Sequence, residues 1–482
     1  MRKAKPSKII VPKEPEQDYT LHILTILIGI GFILRFYHLD FNSLWLDEIS
    51  TYKYSVGTFD NMWQMWTTGT DYAPPLYFFL EHFVLSWLGV SEWTMRLLTA
   101  TFGVVTIPII YLVGKEFWDK NVGLITAGLF TFSPFLIYYS QDARAYSMAL
   151  MLVSAEFYFF LKAIKSENVK YWAAFGLFAG LAFWTHYYTA IFTALVFGYI
   201  LVTFILSIKE NLKNIKPVLI SAGVMTLVIL PVIIVMVPLF LQISSSPPTY
   251  GVQGIGLIPV TLNSMSGFSD YATLLFTLLF ILGIFVSWKQ KHTALLLIWL
   301  LSWTFLISIY LSYRMPMNPR YIIFLTIPFS LGIAMVYVGL RNLIPQETST
   351  YKIIAGILII ISLVSVPYYL GYYQSYSKEN WKGIAKDLES ITIPGDTVVT
   401  VPLYIGFPLD FYYNSSTDRT IEKGVMSVDE LDPIRQANNQ SVYYILTPDI
   451  YAADPEGKCV TWLNQNSKRI RDYGNVWLLK GV

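Results

Sequence analysis

Eleven apolar stretches of about membrane-crossing length recur between residues 21 and 371, and no other feature constrains the fold as much. A helix needs about 20 apolar residues to cross a hydrocarbon layer of about 30 Å. The stretches lie near 21–38, 93–114, 121–139, 145–161, 171–186, 189–207, 217–241, 271–288, 293–312, 321–340 and 353–371. Only 14% of the 482 residues are charged, against about 25% in soluble domains. The reading is an α-helical polytopic membrane protein with about 11 transmembrane helices.

The distribution of Lys and Arg gives an orientation. With the N-terminus in the cytoplasm, the loops assigned inside hold 17 basic residues and those outside hold four, Lys53, Arg144, Arg314 and Arg320. Basic residues concentrate in cytoplasmic loops, so this parity is favoured. Residues 1–20 are basic and Pro-rich and predict a disordered cytoplasmic tail. The first stretch has no small-residue cleavage site and reads as a retained span. Residues 74–89, "PPLYFFLEHFVLSWLG", are too short to cross, and counting them would invert every later loop. They read as a helix on the outer surface.

This leaves a long first outer loop, 39–92, with seven acids and one base, Lys53. A second outer loop, 242–270, is rich in Gly, Ser and Pro and suits a mobile lid. After residue 371 the composition changes. "ENWKGIAKDLESI" and "GKCVTWLNQNSKRIRDY" have helical spacing, while "DTVVTVPL", "SVYYILT" and "NVWLLKG" read as strands. Residues 372–482 therefore predict a small extracytoplasmic α/β domain behind a membrane module over 21–371.

Several function classes are excluded. A single cysteine, Cys459, forbids a disulfide within the chain and a Cys-rich metal site. There is no Gly-rich phosphate loop, no HExxH and no basic stripe for nucleic acid. What stands out is a set of ionisable residues at the outer boundary of the apolar stretches. Asp47 and Glu48 follow the first stretch, Asp142 and Arg144 sit between the third and fourth, His186 lies between the fifth and sixth, and Arg320 precedes the tenth. Ionisable groups at such depth face protein or water and are functional candidates. Guanidiniums suit a phosphate. Carboxylates suit a general base, a metal, or both. Adjacent helical residues point about 100° apart, so one of Asp47 and Glu48 acts and the other caps or orients. His186 either binds phosphate or is satisfied by packing. Arg96 is expected to pair with Glu92 across one helical turn.

The segments "LWLDEIST", "APPLYFFL", "EWTMRLLTATFG", "SPFLIYYSQDARAYSMAL", "LAFWTHYYTAI" and "NPRYIIFLTIP" occur in that order. This ordered set, over about residues 20–340, resembles the GT-C membrane glycosyltransferases related to dolichyl-phosphate-mannose protein mannosyltransferases and lipid A aminoarabinose transferases. The resemblance implies a GT-C fold. It implies an inverting transferase that moves a sugar from a polyprenyl-phosphate donor, dolichyl- or undecaprenyl-linked, to an acceptor hydroxyl on the extracytoplasmic side. The acceptor is a glycan, a lipid or a protein. Ala73 stands where the protein mannosyltransferases have His before Pro-Pro-Leu, which weakens the case for a protein acceptor. The implied catalytic residues are Asp47, Glu48 and Asp142, with Asp47 as the base. The implied donor phosphate and sugar contacts are Arg144, Tyr146, His186, Arg320 and Tyr321. No cofactor is required; a divalent cation (Mg, Mn or Zn), if present, would sit on Asp47, Glu48 and Asp142. The reading places the protein in the cell membrane, with its N-terminus inside and its C-terminal domain outside. A transporter or flippase of lipid-linked sugars is the alternative.

Overall fold

The computed structural model describes residues 17–68, 73–166, 168–206, 215–243, 248, 250–288, 290–345, 349–413, 420–437 and 440–482. The tail expected over 1–20 falls mainly outside these residues. Each of the eleven apolar stretches contains helix. Among the described residues, eight helices are long and apolar enough to cross a membrane, or nine if one bent pair is a single span. The other two, Thr20–Phe36 and Val169–Thr185, have 17 residues each.

The bent pair departs from the expectation of one continuous span at 121–139. Lys120–Phe132 and Pro134–Ser140 meet at 59°. Pro134 removes a backbone donor and its ring displaces the preceding turn. Ser133 accepts the Leu136 N–H with its hydroxyl and starts the second helix. The carbonyls freed at the break are then met by side chains. Buried Arg35 donates to Phe130 O at 2.8 Å and to Thr131 O at 3.3 Å, and the Tyr369 hydroxyl donates to Phe132 O. The break carries Gln141 and Asp142 into the interior. Behind it, Glu92–Phe117 and Lys120–Phe132 pack closely where two glycines meet. A Cβ on Gly114 would lie 2.7 Å from Gly123 Cα, so larger residues there would force the helices apart.

Between the first and second long helices the chain forms three shorter ones, Leu46–Ser55, Phe59–Thr67 and Leu76–Leu88. The last of these covers the stretch read as a surface helix. In the loop expected to be a mobile lid, residues 244–247 and 249 lie outside the described residues. The remainder is packed rather than loose. Gly254–Gly256 and Leu257–Met265 are helical with Leu257, Thr261 and Met265 buried. The Val252 N–H donates to Met317 O and the Gly254 N–H to Ser312 Oγ.

The C-terminal region holds a five-stranded sheet: β1 (Asp396–Val401), β2 (Thr420–Gly424), β3 (Val442–Leu446), β4 (Ser467–Asp472) and β5 (Trp477–Gly481), in the order β2-β1-β3-β5-β4. β1 pairs in parallel with β2 and β3, and β5 runs antiparallel to β3 and β4. β1 and β3 are buried along their whole length, which is why they read as continuous apolar runs. The edge strands β2 and β4 are polar and largely exposed. β4 corrects the reading of 457–473 as one helix: the helix Lys458–Asn466 stops and the polar run after it pairs with β5.

This domain sits directly on the segment between the first and second long helices. Phe411 and Tyr412 pack against a buried cluster of Leu44, Ile49, Leu85, Met95 and Ala143. The Leu44 N–H donates to the Tyr412 hydroxyl at 2.7 Å, and Lys382 pairs with Glu92 at 2.8 Å.

Replacing Arg35 by Met removes the shared donor from the Phe130 and Thr131 carbonyls. An unsatisfied buried acceptor costs about 1–3 kcal/mol, so the detergent-solubilised variant should unfold at a distinctly lower temperature than the parent. An unchanged midpoint would show that the break is held by Pro134 alone.

Candidate active site

The helix Leu46–Ser55 begins with an acid at its second and third positions, where the helix dipole favours negative charge. The two acids have different surroundings. Glu48 turns inward and caps the helix, accepting the Trp45 N–H at 3.3 Å. It also takes two hydrogen bonds from Arg96, Nε at 2.8 Å and Nη2 at 2.7 Å. The Ala143 N–H reaches it at 2.8 Å and Lys378 Nζ at 3.0 Å. Arg96 gives its remaining donors to the carbonyls of Leu39, Asn42 and Ser43. Burial alone would raise the Glu48 carboxyl, but Arg96 and Lys378 outweigh it and hold the group at about 2, below its ordinary 4.5. Glu48 is a fully engaged strut with no lone pair left for a proton transfer. Its bond to Arg96 also corrects the expectation that Arg96 pairs with Glu92. Arg96 reaches across to the first loop, and Glu92 is taken by Lys382 and by the Tyr412 hydroxyl at 3.0 Å.

Asp47, one position earlier on the helix, points away from this network. Its carboxylate meets Arg320 at 3.1 Å, and its side chain is 26% exposed while those of Glu48 and Asp142 are closed off. Arg320 enters from the short helix Pro319–Leu325, whose start Asn318 caps through its side chain. The guanidinium lies 5.4–5.6 Å from the rings of Trp45, Tyr146 and Tyr321, a separation at which aromatic faces attract a cation. Its Nε is buried without a protein partner among the described residues.

Arg144 completes the same wall. It donates to the Asp47 carbonyl and to Thr51 Oγ1, each at 3.3 Å. Tyr146, His186 and Tyr321 stand together, with ring centroids 5.5–6.1 Å apart. Tyr188 stacks on Tyr321 at 5.3 Å. His186, in the turn between two helices, is held down at about 3 by burial and then by Arg144 and Arg320. It is neutral at physiological pH and offers phosphate a hydrogen bond but no charge.

Asp142 is buried at the indole N–H of Trp45. Its Oδ1 accepts Trp45 Nε1 at 2.7 Å and Lys378 Nζ at 2.9 Å, and its Oδ2 has no protein partner among the described residues. The structure thus brings all eight expected residues to one end of the bundle, in two layers. Asp47, Arg144, His186, Arg320 and Tyr321 line the reachable layer, with the buried Tyr146 against their rings. Glu48 and Asp142 lie in the layer beneath. Glu48 and Asp142 meet on the same cation, Lys378, whereas Asp47 is drawn to Arg320. Among the described residues no group of three His, Cys, Asp or Glu side chains is placed to hold a metal.

Lys378, Lys382, Trp45 and Tyr412 belong to this region without having been singled out from the sequence. The available signal was the pair of lysines just past the last apolar stretch, on the side the charge bias assigns as outer, where basic residues are scarce.

With this geometry in place, the comparisons can be stated. The sequence profile described as dolichyl-phosphate-mannose-protein mannosyltransferase matches residues 72–235. No curated protein matches the chain in sequence. The aminoarabinose transferase ArnT from Cupriavidus metallidurans bound to undecaprenyl phosphate superposes with a TM-score of 0.54 over 96% of this chain and 98% of its own, at 14% identity. The Archaeoglobus fulgidus oligosaccharyltransferase AglB, with an inhibitory peptide and a dolichol-phosphate, gives 0.58 over 98% and 75% at 12% identity. The chain has the GT-C glycosyltransferase fold. Another structure of the archaeal enzyme contains Zn and sulfate, whereas the acids described above are each committed to a cation of the protein.

Glu48→Gln should cost about 3–5 kcal/mol, the usual penalty for stranding one partner of a buried ion pair. Asp47→Asn should leave the unfolding temperature near that of the parent. The pH dependence follows from the depressed Glu48 carboxyl. Its stabilisation is complete above pH about 4.5 and is lost as pH falls toward 2, so parent and Glu48→Gln should converge in stability over that window. Equal sensitivity of the two variants at neutral pH would refute the division of labour.

Proposed function

We propose that the protein transfers a sugar from a polyprenyl-phosphate carrier to an acceptor hydroxyl, with inversion, on the extracytoplasmic face of the membrane. The observation that carries this reading is the partly buried but accessible Asp47–Arg320 pair inside an aromatic collar. The pairing is reversible in chemical terms: a phosphate oxygen that reaches Arg320 releases Asp47.

The chemistry then balances simply. The acceptor oxygen attacks the anomeric carbon, and the bond from that carbon to the phosphate oxygen breaks. Polyprenyl phosphate leaves with the electron pair. Arg320 and Arg144 stabilise the charge that gathers on the phosphate. Asp47 takes the acceptor proton, which requires an approach of about 3 Å. His186 and the tyrosines around it offer hydrogen bonds and ring faces to the donor, and neutral His186 adds no charge that would hold the product.

A lipid carrier also needs an apolar path. An open apolar groove runs beside the collar, lined by Phe183, Tyr187, Tyr188, Met236, Leu239 and Phe240 among others. Tyr188 belongs both to this groove and to the stack on Tyr321. The groove supports a prenyl chain entering from the bilayer with its phosphate toward Arg320. The similar ArnT structure contains undecaprenyl phosphate and the AglB structure dolichol-phosphate, which supports the same donor class here.

The test uses purified protein, radiolabelled polyprenyl-phosphate sugars and cell-envelope acceptors. Asp47→Ala should lower transfer by about 10³-fold or more, given the 10²–10⁴-fold usual for a general base, while donor binding persists. Arg320→Lys should weaken donor binding and transfer together. Movement of the labelled carrier across vesicles without bond exchange, unchanged in Asp47→Ala, would replace this reading with that of a flippase.

A further inference from the structure

The segment that leaves the last long helix, Thr350–Tyr372, and leads into the outer domain inserts a lysine into the core of the site. Lys378 is 8% exposed. Its ammonium bridges Glu48 Oε1 at 3.0 Å and Asp142 Oδ1 at 2.9 Å, and it reaches the Gln141 carbonyl at 3.4 Å. The rings of Trp45 and Tyr138 lie 5.8 and 5.9 Å away. Its own backbone is fixed, because Asn42 Oδ1 accepts the N–H groups of Ser377 and Lys378. A buried ammonium is costly unless fully paired, and here two carboxylates share it. Glu48 has Arg96 as a second cation. Asp142 Oδ1 is fixed by Lys378 and Trp45 together, which leaves Oδ2 as a buried acceptor with no protein partner among the described residues. A buried carboxylate oxygen without a donor is expected to receive one from water or ligand.

We propose that Lys378 is a positioning residue of the transferase site: by fixing Oδ1, it presents Asp142 Oδ2 to a hydroxyl of the transferred sugar. This rests on the donor class proposed above and adds to it. The outer domain's leading segment is part of the sugar subsite. Selection of the sugar is separated from capture of the phosphate, with Asp142 at the indole N–H of Trp45 and Arg320 over its ring.

The experiment measures binding of decaprenyl phosphate and of its mannose, glucose and arabinose esters to the full-length protein in nanodiscs. The parent should prefer one sugar ester over the bare phosphate. A hydrogen bond to a charged group is worth about 1.5–3 kcal/mol, so Lys378→Met should cut that preference by about ten-fold or more and leave affinity for the bare phosphate unchanged. Asp142→Asn should do the same, and the double variant should be no worse than either single one, as for residues acting in one unit. Lys378→Arg should restore part of the preference. Lys382→Met, which severs a contact of the outer domain with Glu92 without touching Asp142, should leave the preference intact. The proposal is overturned if Lys378→Met weakens both ligands equally, or if Lys382→Met reproduces its effect, since either outcome makes Lys378 a docking contact only. If the parent binds none of the carriers, the proposed function fails first and takes this inference with it.

Discussion

A carboxylate cannot be left without partners at the edge of a bilayer, and the structure around Glu48 follows from that constraint. Five donors from four separate parts of the chain converge on it: Trp45, Arg96, Ala143 and Lys378. Each donor ties a segment in place. Arg96 binds the second long helix to the loop before it, Ala143 fixes the turn after the helix break, and Lys378 anchors the C-terminal domain. Such a buried cluster adds little net stability over an apolar core of the same shape. Its contribution is to exclude other arrangements, since any displacement of one segment strands a charge. The exposed partner one residue away, Asp47, is held in a defined orientation as a result.

Much of this was legible beforehand. The long helices announce themselves because lipid and core both demand apolar side chains, so length and composition suffice. The grouping of Asp47, Arg144, His186 and Arg320 was legible from topology, because the loops at one end of a helical bundle must come close together. Other features were hidden for physical reasons. The break at Ser133–Pro134 leaves hydropathy unchanged, and only Pro134 marks it. The partner of Arg96 was misjudged because a helical neighbour four residues away, Glu92, looks sufficient until tertiary contacts are known. The edge strands β2 and β4 have no apolar face to reveal them. Lys378 was passed over because the chain around it is polar and reads as a linker, while its role depends on residues more than 230 positions earlier.

The separation of roles between neighbouring acids is informative about chemistry. A base must be reachable and free to change partners, whereas a scaffold must be neither. Asp47 and Glu48 differ by one methylene and one position, and burial with five donors makes the second inert. The similarity to ArnT and to the archaeal oligosaccharyltransferase lies in the fold, at 12–14% identity. The division between a reachable and a buried layer is read from this chain's own distances, and it supports a transferase more directly than the fold does.

The closed Asp47–Arg320 contact has one more consequence. While the two hold each other, the charge of each is met by the other. Under the proposed function, an anionic lipid that reached Arg320 would take over its charge and free the carboxylate in the same motion. That function would then carry an order of addition, lipid before acceptor.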